Sequence, residues 1–291
     1  WAGAYVPKAN ADRRMVGYVI TYQPKWVKNL FIGVAAATNY YYKNIYDSLG
    51  NSKIHNYPWY AKTEKGDKQV LGSVFFRYAM PEDKAEIYGE FGRSDRRAAP
   101  WNLFGDTIPF GYVFGLRKWV KLSKLSQIEI MAEVTQLALP DARLIFDDAS
   151  PWGVPKVNGY YTHPIVRHGY THNGQMLGAG IGPGSNGQFL SISLYRKGSR
   201  FGIHGERIVH NNDFVYASQL SGNVGSGYHN RYYVDLIYGA HVQVKLRGIY
   251  VAGTINYMNV LNYKWVKLGG TFETGRLYQI RKMCSQHIRV V

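Results

Sequence analysis

The chain contains a single cysteine, Cys284, among its 291 residues. One cysteine excludes an intrachain disulfide framework and any zinc site built from several cysteines. Acidic residues are also scarce, since 19 Asp and Glu stand against 35 Lys and Arg and give a formal net charge of +16. A strongly basic chain attracts acidic partners over long range.

Long hydrophobic runs are absent as well. The longest apolar stretch, residues 30–37, spans eight residues and includes a glycine, far short of the ~18 residues that indicate a transmembrane helix. The chain opens at Trp1 without a basic segment followed by an apolar one. This start predicts either a signal peptide already removed or a piece of a longer protein.

Aromatic residues and an alternating pattern dominate what remains. The chain has 25 Tyr, 12 Phe and 7 Trp together with 32 Gly, which is typical of β-rich proteins. Ile249, Val251 and Ile255 alternate with Thr254 and Asn256. Successive strand side chains point to opposite faces, so this segment predicts a strand with one apolar and one polar face.

About twelve segments of this kind recur, each about 8 to 14 residues long, which is the length that a tilted strand needs to cross a bilayer. Their polar faces carry large and charged residues, and their apolar faces end in aromatic residues. The polar-face residues include Arg77, Glu86, Glu90, Glu129, Glu133, Glu206, Asp235 and His241, and the aromatic ends include Tyr22, Trp26, Trp119 and Trp265. An apolar band with aromatic ends around a polar interior predicts an all-β, antiparallel transmembrane barrel of the outer membrane; a soluble barrel or sandwich is the alternative.

The connections between these segments are unequal in length. Tight turns are predicted at 23–25 and 197–199, whereas residues 39–68, 94–109, 140–186 and 211–230 form long loops rich in Gly, Pro and Asn. Outer-membrane barrels have short turns at one rim and long loops at the other. The whole chain, 1–291, is therefore predicted to be one barrel domain.

Several blocks resemble the Wzi-type capsule assembly family in sequence and order. The longest is residues 168–186, HGYTHNGQMLGAGIGPGSN. Five shorter blocks agree with it: 22–26 (YQPKW), 85–93 (AEIYGEFGR), 132–136 (AEVTQ), 206–214 (ERIVHNNDF) and 261–265 (LNYKW). The resemblance covers most of the chain.

The resemblance implies a non-catalytic outer-membrane barrel of Gram-negative bacteria that binds or anchors capsular polysaccharide. The family barrel has more strands and an amino-terminal portion with helices, so the resemblance implies that this chain is a carboxy-terminal portion. The chain departs from the family pattern at 94–109, which is not acidic here, and at its end, Val290 and Val291, where such barrels usually close on an aromatic residue.

Enzymatic chemistry is not predicted. Glu86 and Glu90 are about 13 Å apart along one strand, beyond the ~5–9.5 Å that paired glycosidase carboxylates need, and Arg77, Arg117 and Arg207 offer them ion pairs. A serine hydrolase would need a serine near a histidine; Ser191 and Ser193 beside His204 form a conceivable pair, but no Gly-x-Ser-x-Gly elbow exists.

No cofactor, metal site or nucleic-acid motif is predicted from the sequence. The glycine-rich block lacks the following helix that a nucleotide cradle requires. It is expected to fold against the barrel wall or into the lumen; the alternative is that its polar side chains touch ligand. The candidate contacts in this block are His168, Tyr170, His172, Asn173 and Gln175.

The main binding site is predicted on the rim of long loops, where aromatic planes, amides and cations suit a sugar polymer with acidic groups. Its candidate residues are Tyr41, Tyr42, Trp59, Tyr60, Arg96, Arg97 and Trp101. The expected partners are acidic surface polysaccharide or lipopolysaccharide and outer-membrane lipid. The alternative function is a structural or channel-like barrel subunit of a larger envelope complex, and a third hypothesis is an envelope enzyme.

Overall fold

The computed structural model describes most strands of the chain and parts of the connections between them. The described residues are 12–42, 68–94, 110–138, 159–163, 166, 168–172, 175–213, 232–246, 249–263, 267–268, 271–272 and 274–285. Within these residues the protein is all-β. None of its helical segments is long and apolar enough to cross a membrane.

Eleven long strands form one sheet. They are β1 (Asp12–Tyr22), β2 (Leu30–Tyr42), β3 (Lys68–Met80), β4 (Ala85–Ser94), β5 (Phe110–Ser123), β6 (Ser126–Gln136), β9 (Asn186–Arg196), β10 (Ser199–His210), β11 (Tyr233–Leu246), β12 (Ile249–Leu261) and β15 (Thr274–Ser285). Four two-residue strands make two small ladders: β7 (Thr171–His172) with β8 (Gln175–Met176), and β13 (Lys267–Leu268) with β14 (Thr271–Phe272).

The large sheet follows chain order, and every neighbouring pair in it is antiparallel. The prediction of an all-β antiparallel architecture is therefore confirmed, with eleven long strands in place of about twelve. Strands β1 and β15 stand at the two edges, and among the described residues the sheet does not close on itself.

The two ends of the strands differ in their connections. At one end, here called the short-turn edge, the connections are residues 23–29, 81–84, 124–125, 197–198 and 247–248. At the other end, the long-connection edge, they are 43–67, 95–109, 137–185, 211–232 and 262–273. Because the strands alternate in direction, all the long connections leave from one edge, as the sequence predicted.

The predicted loop limits need small corrections. Strand β2 continues to Tyr42, β3 already includes Lys68, β4 ends with Ser94, and β9 begins at Asn186, so each of these residues belongs to a strand and not to a loop. The predicted turn at 197–199 is confirmed as a two-residue hairpin: Lys197 has a φ of 49° and Gly198 a φ of 80°. Positive φ at both central residues is the geometry that matches the twist of paired strands.

The two faces of the sheet have inverted polarity. The polar face carries Glu129, Ser193 and Asp235, which are 6%, 1% and 7% exposed. The opposite, apolar face carries Ile203 and Leu190, which are 63% and 51% exposed. Soluble proteins bury apolar side chains and expose charged ones. This sheet shows the opposite arrangement at these positions.

Candidate functional site

Ion pairs link strands of the sheet on its polar face. Arg77 on β3 donates two hydrogen bonds to Glu86 on β4, at 3.0 and 2.9 Å. Glu129 on β6 lies between two guanidinium groups, Arg117 at 3.4 Å and Arg200 at 3.3 Å. The predicted role of Arg77 and Arg117 as partners of these carboxylates is confirmed. These ion pairs join the strands across the polar face of the sheet, which is called the wall below.

Two further details complete this wall. Tyr195 donates from its hydroxyl group to Glu129 at 2.9 Å, and Tyr88 donates to Glu133. Arg207 does not join the wall, and its predicted pairing with these carboxylates is wrong. It lies on the apolar face and donates to Gln188 Oε1 at 2.8 Å and to Asn186 Oδ1 at 3.2 Å, because alternation along β10 turns Arg207 away from Glu206.

A serine and a histidine meet on the polar face, but the pair differs from the one predicted. Ser193 Oγ lies 3.0 Å from His241 Nε2, across the intervening strand β10, whereas the predicted partner was His204. Arg200 also donates to Ser193 Oγ, at 3.1 Å. Among the described residues His241 has no carboxylate hydrogen bond, and Ser193 is 1% exposed, so the pair lacks both the orienting group and the access that a nucleophile needs.

Part of the long connection between β6 and β9 lies against the polar face of the sheet. Its described residues 159–163, 166, 168–172 and 175–185 are called the inserted segment here. Asn39 on β2 donates from its amide to Gly169 O at 2.8 Å, and Arg13 on β1 donates to Gly169 O at 3.2 Å and to Thr171 Oγ1 at 3.3 Å. Two strands of the wall therefore hold the backbone of the segment.

The carboxyl-terminal end of the inserted segment is fixed from both sides. Leu137 N donates to Ser185 O at 2.8 Å, and Asn211 N donates to Ser185 Oγ at 3.0 Å. Gly169 and Gly184 adopt positive φ values of 62° and 66°, which favour glycine. The expectation that the glycine-rich block folds against the wall is confirmed for these described residues.

Tyrosine side chains form the contact between the inserted segment and the wall. Tyr160 packs with Leu71 of β3 and with Leu137, and all three are buried. The Tyr160 and Tyr161 ring centroids are 4.4 Å apart, and the Tyr161 and Tyr170 rings stack at 5.6 Å. Tilted and offset ring pairs add to the stabilisation that burial alone provides.

Two wall glycines make room for this tyrosine cluster. A Cβ atom on Gly92 of β4 would lie 2.0 Å from the Tyr160 hydroxyl oxygen, and one on Gly111 of β5 would lie 3.0 Å from Tyr160 Cδ1. Both glycines lie on the polar face of the sheet, where they are register partners. The ring of Tyr160 therefore fits the wall only because these positions have no side chains.

A cavity of about 690 Å³ separates the rest of the inserted segment from the wall. Small residues such as Gly17, Ala35 and Ser73 line its wall side, and Glu90 and Glu133 bring carboxylates to it. The three tyrosines line the opposite side. The combination of aromatic rings and acidic groups around an open space gives the polar face a second environment, which borders the ion-paired part of the face at Glu133.

Burial of these tyrosines raises their pKa values. Desolvation is the largest cause for Tyr160, Tyr161 and Tyr170, and the pKa of Tyr160 rises well above its ordinary value. The nearby carboxylate of Glu90 raises all three pKa values further. The docked segment thus holds its phenols in the neutral form.

The candidate residues in the 168–175 block do not form one cluster. Tyr170 stacks on Tyr161 and packs against the wall cluster, and the backbone oxygen of His168 accepts a hydrogen bond from Thr171. His172 and Gln175 pair across the β7–β8 ladder with exposed side chains. Tyr170 therefore anchors the segment, while His172 and Gln175 face open space; Asn173 lies outside the described residues.

The candidate rim residues fall mostly outside the described residues. Tyr41 and Tyr42 are the last two residues of β2, paired with Arg13 and Asp12, so they continue a strand at the long-connection edge and are not part of a loop. The others, outside the described residues, are Trp59, Tyr60, Arg96, Arg97 and Trp101. Their assignment to a binding surface stays a prediction.

Sequence reasoning missed the residues that dock the inserted segment. Arg13 and Asn39 were not singled out as anchors, and Gly92 and Gly111 are ordinary members of alternating strands in the sequence. Only Gly92 could have been recognised from the local sequence, because it takes a polar-face position of β4 where Glu86 and Glu90 occupy neighbouring positions of the same face. The match of these glycines to Tyr160 depends on contacts between distant parts of the chain.

Within the described ranges no group of three or more His, Cys, Asp or Glu side chains is arranged to hold a metal ion. Comparison of the chain with protein-family models, with curated proteins and with solved structures finds no match. The functional proposal therefore depends on the architecture itself and on the sequence resemblance.

Proposed function

We propose that the protein is a non-catalytic β-barrel of the bacterial outer membrane that binds or anchors acidic surface polysaccharide at its long-connection edge. The inverted polarity of the sheet carries the membrane part of this proposal. An exposed apolar face and a buried, ion-paired polar face are stable together when lipid covers the first and a narrow lumen encloses the second. The 10- to 14-residue lengths of the eleven long strands are also sufficient to cross a bilayer at a tilt.

The asymmetry of the two edges supports a ligand site on one side. Long connections concentrate at one edge, as they do on the outer side of bacterial barrels. The net charge of +16 favours an acidic polymer. The resemblance of residues 168–186 to the capsule assembly family suggests that this polymer is capsular polysaccharide.

Membrane insertion can be tested with the full chain refolded into detergent and into lipid vesicles. We expect a β-rich circular dichroism spectrum, retention in the vesicle fraction after alkaline carbonate washing, and protection of the strands from added protease. A chain that stays monomeric and folded in water without detergent would contradict the membrane proposal.

Glycan binding can be tested separately at the cell surface. The triple variant Trp59→Ala, Arg96→Ala and Arg97→Ala is expected to lose polysaccharide retention while its surface level stays normal. Retention in the unchanged protein should weaken as salt rises, because arginine attraction is screened over ~8–10 Å at physiological ionic strength.

The matched control for this variant lies at the opposite edge. Trp26 is 78% exposed in the β1–β2 turn, and Lys124 and Lys197 lie in the turns after β5 and β9. Replacement of these three residues by alanine removes one tryptophan and two cations, as in the test variant. Equal polysaccharide retention in the two triple variants would reject the rim site and direct the search to the cavity behind the inserted segment.

The open sheet favours a second candidate, a barrel subunit of a larger envelope assembly. Strands β1 and β15 each have one neighbour among the described residues, and an exposed strand edge is a template for pairing. Purification in mild detergent distinguishes the two functions. A stoichiometric partner lost on disruption of the β1 edge supports the subunit, whereas an isolated chain that binds polysaccharide supports the anchor.

A further inference from the structure

The short turns of the sheet are staggered: from β1 towards β12, the hairpins extend progressively further beyond the short-turn edge. The register aligns Tyr22, where β1 ends, with Gly89 of β4, which is four residues from the start of β4 at Ala85. Ala85 is in turn aligned with Ile130, four residues from the start of β6 at Ser126. Each of these two hairpins thus extends four residues further than the hairpin before it.

The same sense of stagger continues across the second half of the sheet. Ser126 is level with Arg196, so the third and fourth turns coincide. Arg200, one residue from the start of β10, is aligned with Gln243, which lies three residues from the end of β11, so the last turn extends two residues further. The stagger reaches ten residues over the eight steps from the first hairpin to the last.

This stagger converts into a strand tilt if the turns lie in one plane. Ten residues extend about 33 Å along a strand, and eight steps between strands span about 38 Å. The ratio gives a tilt of about 40° from the normal of that plane. Closed barrels in membranes tilt their strands by about 35–45°, so the register alone gives the tilt of a barrel wall.

The limit of the exposed apolar residues on the long-connection side shifts across the sheet, although a row nearer the short turns stays apolar from Val120 in β5 to Phe201 in β10. One row joins Phe114, Val134, Gln188 and Arg207 on the apolar face. It begins with exposed apolar residues in β5 and β6, since Phe114 and Val134 are 46% and 42% exposed, and it ends in the polar contact of Gln188 with Arg207 at 2.8 Å. The apolar belt therefore leaves this row between β6 and β9.

In β10 the belt reappears closer to the short-turn edge. Ile203 is four residues from Arg207 in that direction and is 63% exposed. From β5 to β10 there are three steps between strands, for which a tilt of about 40° requires a shift of about four residues. The third and fourth turns are themselves level, so this four-residue shift of the side chains matches the mean slope of the turns over all eight steps.

We propose that this diagonal belt is the lipid contact surface of strands tilted by about 40°, with Phe114 and Ile203 at one depth in the bilayer and Arg207 at the headgroup level of the long-connection side. The inference rests on the proposed membrane function and adds its orientation. A guanidinium group held by the amide oxygens of Asn186 and Gln188 suits the polar headgroup region, where long basic side chains reach out of the hydrocarbon.

Three single spin labels test this orientation in vesicles of phosphatidylcholine and phosphatidylglycerol. In a Cys284→Ser background, labels are attached to Phe114→Cys, Ile203→Cys and Arg207→Cys, and depth is measured from the ratio of collisions with oxygen and with a water-soluble nickel chelate. Labels 114 and 203 should agree in depth. Label 207 should lie about 10 Å nearer the surface, because four residues extend about 13 Å along a strand inclined by about 40°.

The alternatives give different results. Equal depths for labels 114 and 207, with label 203 about 13 Å away, would mean upright strands and would overturn the diagonal belt while leaving membrane insertion intact. High nickel accessibility at all three positions would overturn the membrane proposal itself. A folded state of each labelled variant is checked by its circular dichroism and by its resistance to protease.

Discussion

The fit of Tyr160 to Gly92 can be tested with one added methyl group. In the variant Gly92→Ala the new Cβ atom would lie 2.0 Å from the Tyr160 hydroxyl oxygen and 3.0 Å from Cζ. Tyr160 is 7% exposed, so its ring cannot turn aside without moving the inserted segment. Overpacking of this kind typically costs about 1–3 kcal/mol, which is roughly a 5- to 150-fold weakening of docking at 1.4 kcal/mol per factor of ten.

Hydrogen exchange measures this effect within the segment. The amides of Tyr170, Leu177 and Gly169 are hydrogen-bonded inside it, so they should exchange faster in Gly92→Ala while the strand amides of β9 and β10 keep their rates. The matched control is Gly72→Ala on the neighbouring strand β3, where an added Cβ meets nothing within 4 Å. Gly72→Ala should leave the segment amides unchanged.

A second substitution makes the test specific. The double variant Gly92→Ala, Tyr160→Phe removes the oxygen that the added methyl group strikes and leaves Cζ at 3.0 Å, so it should recover much of the lost protection. Segment exchange in Gly92→Ala that equals exchange in Gly72→Ala would refute the packing argument. So would a double variant that is no better protected than the single one.

Three other outcomes are expected. Alkaline pH should release the inserted segment. The pKa values of Tyr160 and Tyr161 are raised in the docked state, so the docked state keeps protons that the released state loses near pH ~10; docking is therefore fully stable below that pH and weakens above it. Protease cleavage between β6 and β9 should increase with pH, and a flat cleavage rate from pH 8 to 11 would contradict this expectation. The variant Glu129→Gln should lower the unfolding temperature in detergent, because the guanidinium groups of Arg117 and Arg200 lose the carboxylate that neutralises them. Removal of one partner of a buried ion pair costs about 3–5 kcal/mol. An unchanged unfolding midpoint would show that water already compensates these two cations. Arg77→Ala should change stability by less than about 1 kcal/mol, since Arg77 is 57% exposed in its pair, and a shift in the unfolding midpoint as large as that of Glu129→Gln would contradict this difference.

The sequence predicted the strands because alternation is a local property. Ile249 to Ile255 alternate within one segment, and the structure places their side chains on the expected faces. Which charges would pair was harder to predict, because the pairs depend on register between strands. Glu129 contacts Arg117 and Arg200 through alignments that no single strand encodes.

Two errors have different physical origins. The parity of Arg207 relative to Glu206 places it on the apolar face, so the alternation rule alone contradicts the predicted ion pairs of Arg207. The pairing of Ser193 with His241 instead of His204 could not be predicted from alternation. His204 stands beside Ser191 in the register, and His241 reaches Ser193 over Gly202, which has no side chain.

The inserted segment lay beyond local prediction for a third reason. Its glycines and prolines indicated a loop, and its length indicated a loop with its own packing. Its place depends on Gly92, Gly111 and Asn39, which are 49 or more residues away in sequence from the residues of the inserted segment that they contact. Complementarity of that kind becomes visible only when the sheet has brought the three positions together.

The count of strands in the large sheet constrains what can complete it. Strands alternate in direction from β1 to β15 across eleven members, so the two edge strands run the same way. A ring with antiparallel neighbours throughout needs an even number of strands, and an inserted hairpin would leave one parallel seam. A second copy with the same strand direction would also meet β1 with a parallel strand. For the barrel proposed above, closure of these eleven described strands with antiparallel neighbours throughout would therefore need an odd number of further strands, and the smallest such number is one.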